Sequence, residues 1–72
     1  MQIKVNGKLK RLESSVNILE LLTIEQVKMP EMVSVEVNGE IVDREDFDKI
    51  LIKENDIIEF LYFMGGGTIE FK

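Results

Sequence analysis

Neither cysteine nor histidine occurs anywhere in the 72 residues, and that absence constrains the fold more than any motif. A chain of this length buries only about 60% of its unfolded surface, and many such domains lean on a disulfide or a metal. Both routes are closed. No disulfide, zinc finger, iron–sulfur or haem site can be built, and Cys- or His-based catalysis is excluded. Carboxylates alone can hold Ca²⁺ or Mg²⁺, but the 12-residue EF-hand spacing is absent. Stability must come from one apolar core, and the length allows one domain.

The patterning shows where that core lies. Gln2-Ile3-Lys4-Val5 alternates, Asn6-Gly7 supplies the positive φ angles of a tight turn, and Lys8 to Leu12 reads as the returning strand. Leu9 and Leu12 have opposite parity, which predicts a bulge or a frayed end. Ser14 and Ser15 are candidate N-caps for a helix from Val16 to about Val27. Val16, Ile18, Leu19 and Leu22 share its broad apolar face, while Leu21 and Ile24 fall off it. Pro30 requires the helix to stop before Met29.

Val33-Ser34-Val35-Glu36-Val37-Asn38 is the cleanest strand, with valines inward, and Asn38-Gly39 turns the chain into Ile41-Val42. Asp43 to Lys49 is charged and non-periodic around Phe47, which fits a 3₁₀ turn or short helix with one apolar anchor. Ile50-Leu51-Ile52 is a short extended piece, Glu54-Asn55-Asp56 a turn, and Ile57 to Phe63 the last strand. Strands clustered around one main helix predict an α+β domain. Parallel pairing of the first and last strands, with hairpin and helix as the crossover, is the β-grasp arrangement of ubiquitin-like domains. The expectation is a mixed four- to five-stranded sheet over residues 1–64 and a flexible C-terminal glycine tail over 65–72.

Charge and composition narrow the function. Fourteen acids against nine bases give a net −5, the wrong sign for nucleic acid, which is bound through basic patches. Such a surface either steers the chain to a basic protein partner or serves solubility. No segment approaches the ~18 consecutive apolar residues of a membrane span, and no secretory signal pattern opens the chain, so a cytoplasmic location is expected. Ser14, Ser15 and Ser34 have no histidine to activate them. Glu40, Asp43, Glu45, Asp46, Asp48, Glu54 and Asp56 read as a solvated or docking face, since a carboxylate pair for hydrolysis needs a substrate cleft.

Gly65-Gly66-Gly67 is a different matter. Three adjacent glycines are costly to order and add nothing to a core. They suit a backbone that threads a narrow channel, four extended residues reaching about 13 Å; the alternative is a plain linker. Ile58, Phe60 and Tyr62 should face the helix, and Leu61 and Phe63 the solvent, with Met64 extending an exposed apolar patch. Such a patch marks an interaction site or a small second core under a loop. At the base of the glycine arm, Leu61, Phe63 and Met64 are the candidate partner-binding residues.

Taken in order, these segments resemble the sulfur carriers of thiamine (thiazole) biosynthesis, the ThiS family. The resemblance spans Met1 to Gly67. It rests on Val5-Asn6-Gly7, Leu19-Glu20-Leu21-Leu22, Val35-Glu36-Val37-Asn38-Gly39-Glu40-Ile41-Val42 followed by Arg44, Asn55-Asp56-Ile57-Ile58-Glu59-Phe60 and the terminal glycines. Asn55-Asp56 stands where the family usually has Gly-Asp. The same features separate the thiamine member less sharply from molybdopterin-synthase small subunits.

The resemblance implies a substrate protein rather than an enzyme, with no bound cofactor. An E1-like adenylating enzyme would use ATP to activate the terminal carboxylate of Gly67 (Gly66 as the alternative). A sulfur donor protein would then replace AMP, and the thiocarboxylate would supply thiazole synthase. Thr68-Ile69-Glu70-Phe71-Lys72 departs from this scheme, because Gly67 is in peptide linkage. Either a protease removes those residues, or they were added for expression, or the chain is a non-carrier relative. A sulfur carrier of another pathway and a non-covalent β-grasp interaction module are the competing functions.

Overall fold

The computed structural model describes residues 1–64 and 68–71. Strands β1 (Gln2–Val5), β2 (Lys8–Arg11), β3 (Val33–Val37), β4 (Glu40–Val42), β5 (Ile57–Met64) and β6 (Thr68–Phe71) form one mixed sheet, with helix α1 at Ile18–Ile24. The main path runs β2-β1-β5-β3-β4, and β6 pairs with β5. The pairing of β1 with β5 is parallel, Val5 opposite Ile58, as the β-grasp reading requires. α1 packs Ile18, Leu21 and Leu22 onto one sheet face against Ile3, Val5, Val33, Val35, Ile58 and Phe60.

Both Asn-Gly turns are two-residue hairpin loops with positive φ at each position: Asn6 at 51° and Gly7 at 83°, Asn38 at 54° and Gly39 at 86°. That geometry matches the natural twist of the flanking strands. The parity break in the second strand is not a bulge. β2 ends at Arg11, its register with β1 uninterrupted, and Leu12 then turns into the core while its N–H donates to the Met1 carbonyl at 2.8 Å.

The helix differs from its expected bounds at both ends. Its N-cap is Asn17, in a reciprocal capping box with Glu20 at 2.8 Å each way. Ser15 is committed elsewhere, its hydroxyl donating to the Ile52 carbonyl at 2.8 Å. At the other end Gln26 adopts a φ of 57°, and the N–H groups of Gln26 and Val27 donate to Thr23 and Leu22. This is a Schellman stop without its usual glycine, reached before Pro30 acts. The later start shifts the buried stripe as well. Leu21 is buried and Leu19 is 48% exposed, the reverse of the expected assignment.

The charged stretch after β4 is anchored as expected. Arg44–Asp46 forms a 3₁₀ turn, and Phe47 is 2% exposed in the core. Its carbonyl accepts from Ile18 N at 3.1 Å and Leu19 N at 3.3 Å, satisfying donors that a helix start leaves open. Arg44 lies over the Phe47 ring, 5.3 Å from its centroid, and donates to the carbonyls of Pro30 (2.9 Å) and Val33 (2.6 Å). The turn thereby ties α1 to the start of β3.

Candidate functional site

β5 is the central strand, and its two halves have different neighbours. Along one edge β3 pairs from Val37 opposite Ile58 to Val33 opposite Tyr62. Along the other edge β1 reaches only to Ile58, and β6 continues from Leu61 opposite Phe71 to Met64 opposite Thr68. Asn6 bridges the change of partner. Its N–H donates to the Ile58 carbonyl at 2.9 Å, and its side-chain Oδ1 accepts from Phe60 N at 2.8 Å.

Asn38 has the mirror-image role on the other edge. Its N–H donates to Ile57 O (2.7 Å), its Oδ1 accepts from Ile57 N (2.9 Å), and its Nδ2 donates to Asp56 Oδ1 (3.0 Å). Each Asn-Gly turn therefore carries a side chain that hydrogen-bonds into β5. Sequence reasoning missed these residues, although the Asn-Gly signal was in view for its backbone preference. Asn6→Ala should cost about 2–4 kcal/mol, combining left-handed backbone in a non-glycine residue with an unpartnered Phe60 amide. Urea denaturation should show that loss, with Asn6→Asp recovering most of it.

Ile58 and Phe60 point under the helix and are buried, and Tyr62 is half-buried beside them. Leu61 is a correction. Expected in an exposed patch, it is only 6% exposed, though it lies outside the core cluster under α1. On the edge that β1 leaves open, β6 runs beside it. Among the residues whose side chains are described, the exposed apolar ones of the outer face lie lower on the sheet. Leu9, Lys4 and Ile57 form one row across β2, β1 and β5, and Ile41 lies opposite Glu36 on β4.

The reading of 65–72 as a flexible tail is also corrected for Thr68–Phe71, which form a paired strand. Thr68-Ile69-Glu70-Phe71 alternates and is rich in β-formers, and the upper half of β5 offers it an unpaired edge. Phe63 and Met64 continue the backbone of β5. Gly65, Gly66 and Gly67, the expected arm and attachment point, lie outside the described residues.

Several acidic residues have structural duties. Asp56 accepts from Lys53 N (2.8 Å) as well as Asn38, and Glu54 accepts from Gln2 N (3.0 Å). Among the described residues no three His, Cys, Asp or Glu side chains are placed to share a metal ion. No helix among them is long and apolar enough to cross a membrane.

A β-grasp sheet whose central strand runs into a glycine triplet invites comparison with proteins of the same build. The ThiS family model matches residues 3–67. The chain belongs to the ThiS family. Its match covers both Asn-Gly turns, Arg44, Phe47 and all of β5, and it stops at the third glycine, with 68–72 beyond. The crystal structure of the thiamine biosynthesis protein ThiS from Geobacter metallireducens is 48% identical, with a TM-score of 0.86 over 93% of this chain and 100% of that one. A solution structure of a thiamine biosynthesis protein from the same organism is 47% identical, with a TM-score of 0.75 over 97% and 92%. No curated protein matches. Resemblance and fold thus agree with the expectation drawn from the sequence.

Proposed function

We propose that this ThiS-family chain is a sulfur carrier for thiazole formation in thiamine biosynthesis, with Gly67 as the attachment point. The observation that carries the reading is the family match, which runs through the β-grasp domain and ends on Gly67. Similarity to ThiS of G. metallireducens favours the thiamine pathway over other sulfur-transfer pathways. The chain is then the substrate of enzymes rather than an enzyme, and needs no bound cofactor.

In chemical terms, removal of Thr68–Lys72 by a protease would free the Gly67 carboxylate. An E1-like adenylating enzyme would join that carboxylate to the α-phosphate of ATP, releasing pyrophosphate. The outer sulfur of a donor protein's persulfide would attack the acyl carbon and expel AMP, giving an acyl disulfide. A thiol would then cleave its S–S bond, forming a disulfide with the donor's sulfur and leaving a thiocarboxylate for thiazole synthase. Gly65, Gly66 and Gly67 would thread the arm into the ATP site. Phe63, Met64 and, once β6 has left, Leu61 would dock the domain. A cytoplasmic location accords with the need for ATP.

The test is mass spectrometry of a chain ending at Gly67 after incubation with ATP, an adenylating enzyme and a sulfur donor. One sulfur should replace one oxygen at the terminus. A product still bearing only oxygen, under conditions where a known ThiS is converted, would refute the reading.

A further inference from the structure

We propose that the open edge of β2, with the groove beside it, is a docking site for an extended acidic segment of a partner protein, added to the sheet as a further strand. The proposal is independent of the sulfur-carrier reading and of the glycine triplet.

The backbone defines the edge. β2 ends the main path of the sheet and, among the described residues, pairs only with β1. Even-numbered residues of β1 turn their backbone groups away from β2. Lys4 N donates to the Asp56 carbonyl at 3.0 Å, and the Gln2 carbonyl accepts from Asn55 N at 2.8 Å. Odd-numbered ones turn toward β2, as the Met1 carbonyl does to Leu12 N. Lys8 and Lys10, opposite Val5 and Ile3, are therefore the β2 residues that bond back to β1. Leu9 and Arg11 turn their N–H and C=O groups outward, an open row that an extended segment can match.

The side chains decide the kind of segment. Ile3 and Val5 are buried on the helix face, so their partners Lys10 and Lys8 project on that same side. There the stop at Gln26 brings Val27, Lys28 and Met29 alongside the strand. Between them lies a groove of about 550 Å³, with Val5, Val27, Met29 and Phe60 in its lining. Lys10 reaches across to Glu25 at 3.6 Å and neutralises the carboxylate that lines the groove. Lys8 and Lys28 have no carboxylate partner among the described residues.

The chain carries a net −5, yet three of the four residues of β2 are basic. Positive charge on a free edge repels an identical edge, the usual defence against pairing between copies. It attracts a strand that carries carboxylates at alternate positions. The carboxylates of such a strand would meet Lys8 and Lys28, their methylene stems lying over Val27 and Met29. The residues between them would fall on the outer face beside Leu9, which is 62% exposed and suits an apolar neighbour across the strands.

The test is a titration of the ¹⁵N-labelled full chain with an octapeptide of alternating glutamate and valine, blocked at both ends. Amide shifts should concentrate in β2 and residues 25–29, and the Leu9 and Arg11 amides should exchange more slowly with solvent. Lys8→Glu combined with Lys28→Glu, both at exposed positions, should weaken binding about tenfold or more at an unchanged melting temperature. Methylating alternate amide nitrogens gives two further peptides, of which only one loses the donors that face the edge. That one should bind about tenfold more weakly than the other. No shifts at about millimolar peptide would overturn the proposal, as would equal binding of a lysine–valine peptide. Equal binding by the two methylated peptides would mean attraction without strand pairing, and would overturn it too. Shifts in β2 and β4 on concentrating the chain alone would make a second copy the occupant and exclude the acidic partner.

Discussion

Gly66→Val, in a chain ending at Gly67, should lower the rate of sulfur incorporation by on the order of a hundredfold, while leaving the melting temperature unchanged. The triplet lies beyond the last residue of β5, so a side chain there removes nothing from the core. It adds a branched Cβ to an arm whose use depends on having none. A terminal carboxylate displaced by about 1 Å from the attacking geometry loses rate on that scale. Mass spectrometry over a time course gives the rate, and thermal unfolding monitored by circular dichroism gives the control. If the valine chain were converted at the parent rate, a glycine arm threading a narrow channel would be excluded.

Phe47→Ala should destabilise the domain by about 3–5 kcal/mol. A small domain has only about 5–15 kcal/mol in total, so the variant should be partly unfolded at 37 °C. Three losses coincide at this residue. The ring is 2% exposed and its removal leaves a cavity; Arg44 loses its stacking surface; and the turn whose carbonyl accepts from Ile18 and Leu19 is loosened. Urea denaturation should show a large drop in midpoint at constant slope. Ile41→Ala, at a residue 58% exposed, should stay within about 0.5 kcal/mol and serves as the comparison. Similar losses in the two variants would mean that Phe47 is not the anchor its burial indicates.

Much of the fold was legible because its signals are local. The alternation of Val33 to Val37, two Asn-Gly pairs and a single apolar residue in a charged stretch each have one physical reading, and the structure agrees with all three. The helix was legible in existence but not in extent. Asn17 and the two serines are all acceptable caps by type, and the choice fell to Asn17 because Glu20 answers it while Ser15 is drawn to Ile52. The stop at Gln26 had no signal at all, since left-handed backbone in glutamine is paid for by burying part of Val27.

The candidate site divides in the same way. Which face of β5 meets the helix follows from parity, and Ile58 and Phe60 are buried as parity requires. Parity could not say whether the opposite face is wet. Leu61 is 6% exposed, on the stretch of β5 beyond Ile58 where β1 pairing ends and Thr68–Phe71 takes the edge. The acidic residues show the same limit: Asp56 and Glu54 read as surface charge, yet they hold backbone amides of Lys53 and Gln2.

The amino-acid sequence by itself determined the class of protein: a small α+β domain with no thiol or imidazole chemistry, built on two tight hairpins and carrying a glycine triplet after its central strand. Those features depend on residue type and near-neighbour spacing, which short-range sterics and periodicity translate directly into structure. Only the tertiary structure decided that the two turn asparagines hydrogen-bond into opposite edges of the central strand, and that the residues after the glycines close its upper edge. The asparagine contacts join residues 19 and 54 apart along the chain, and the β5–β6 partners lie 4 to 10 apart. What selects them is the requirement that every backbone group in a sheet find a partner once the chain has collapsed.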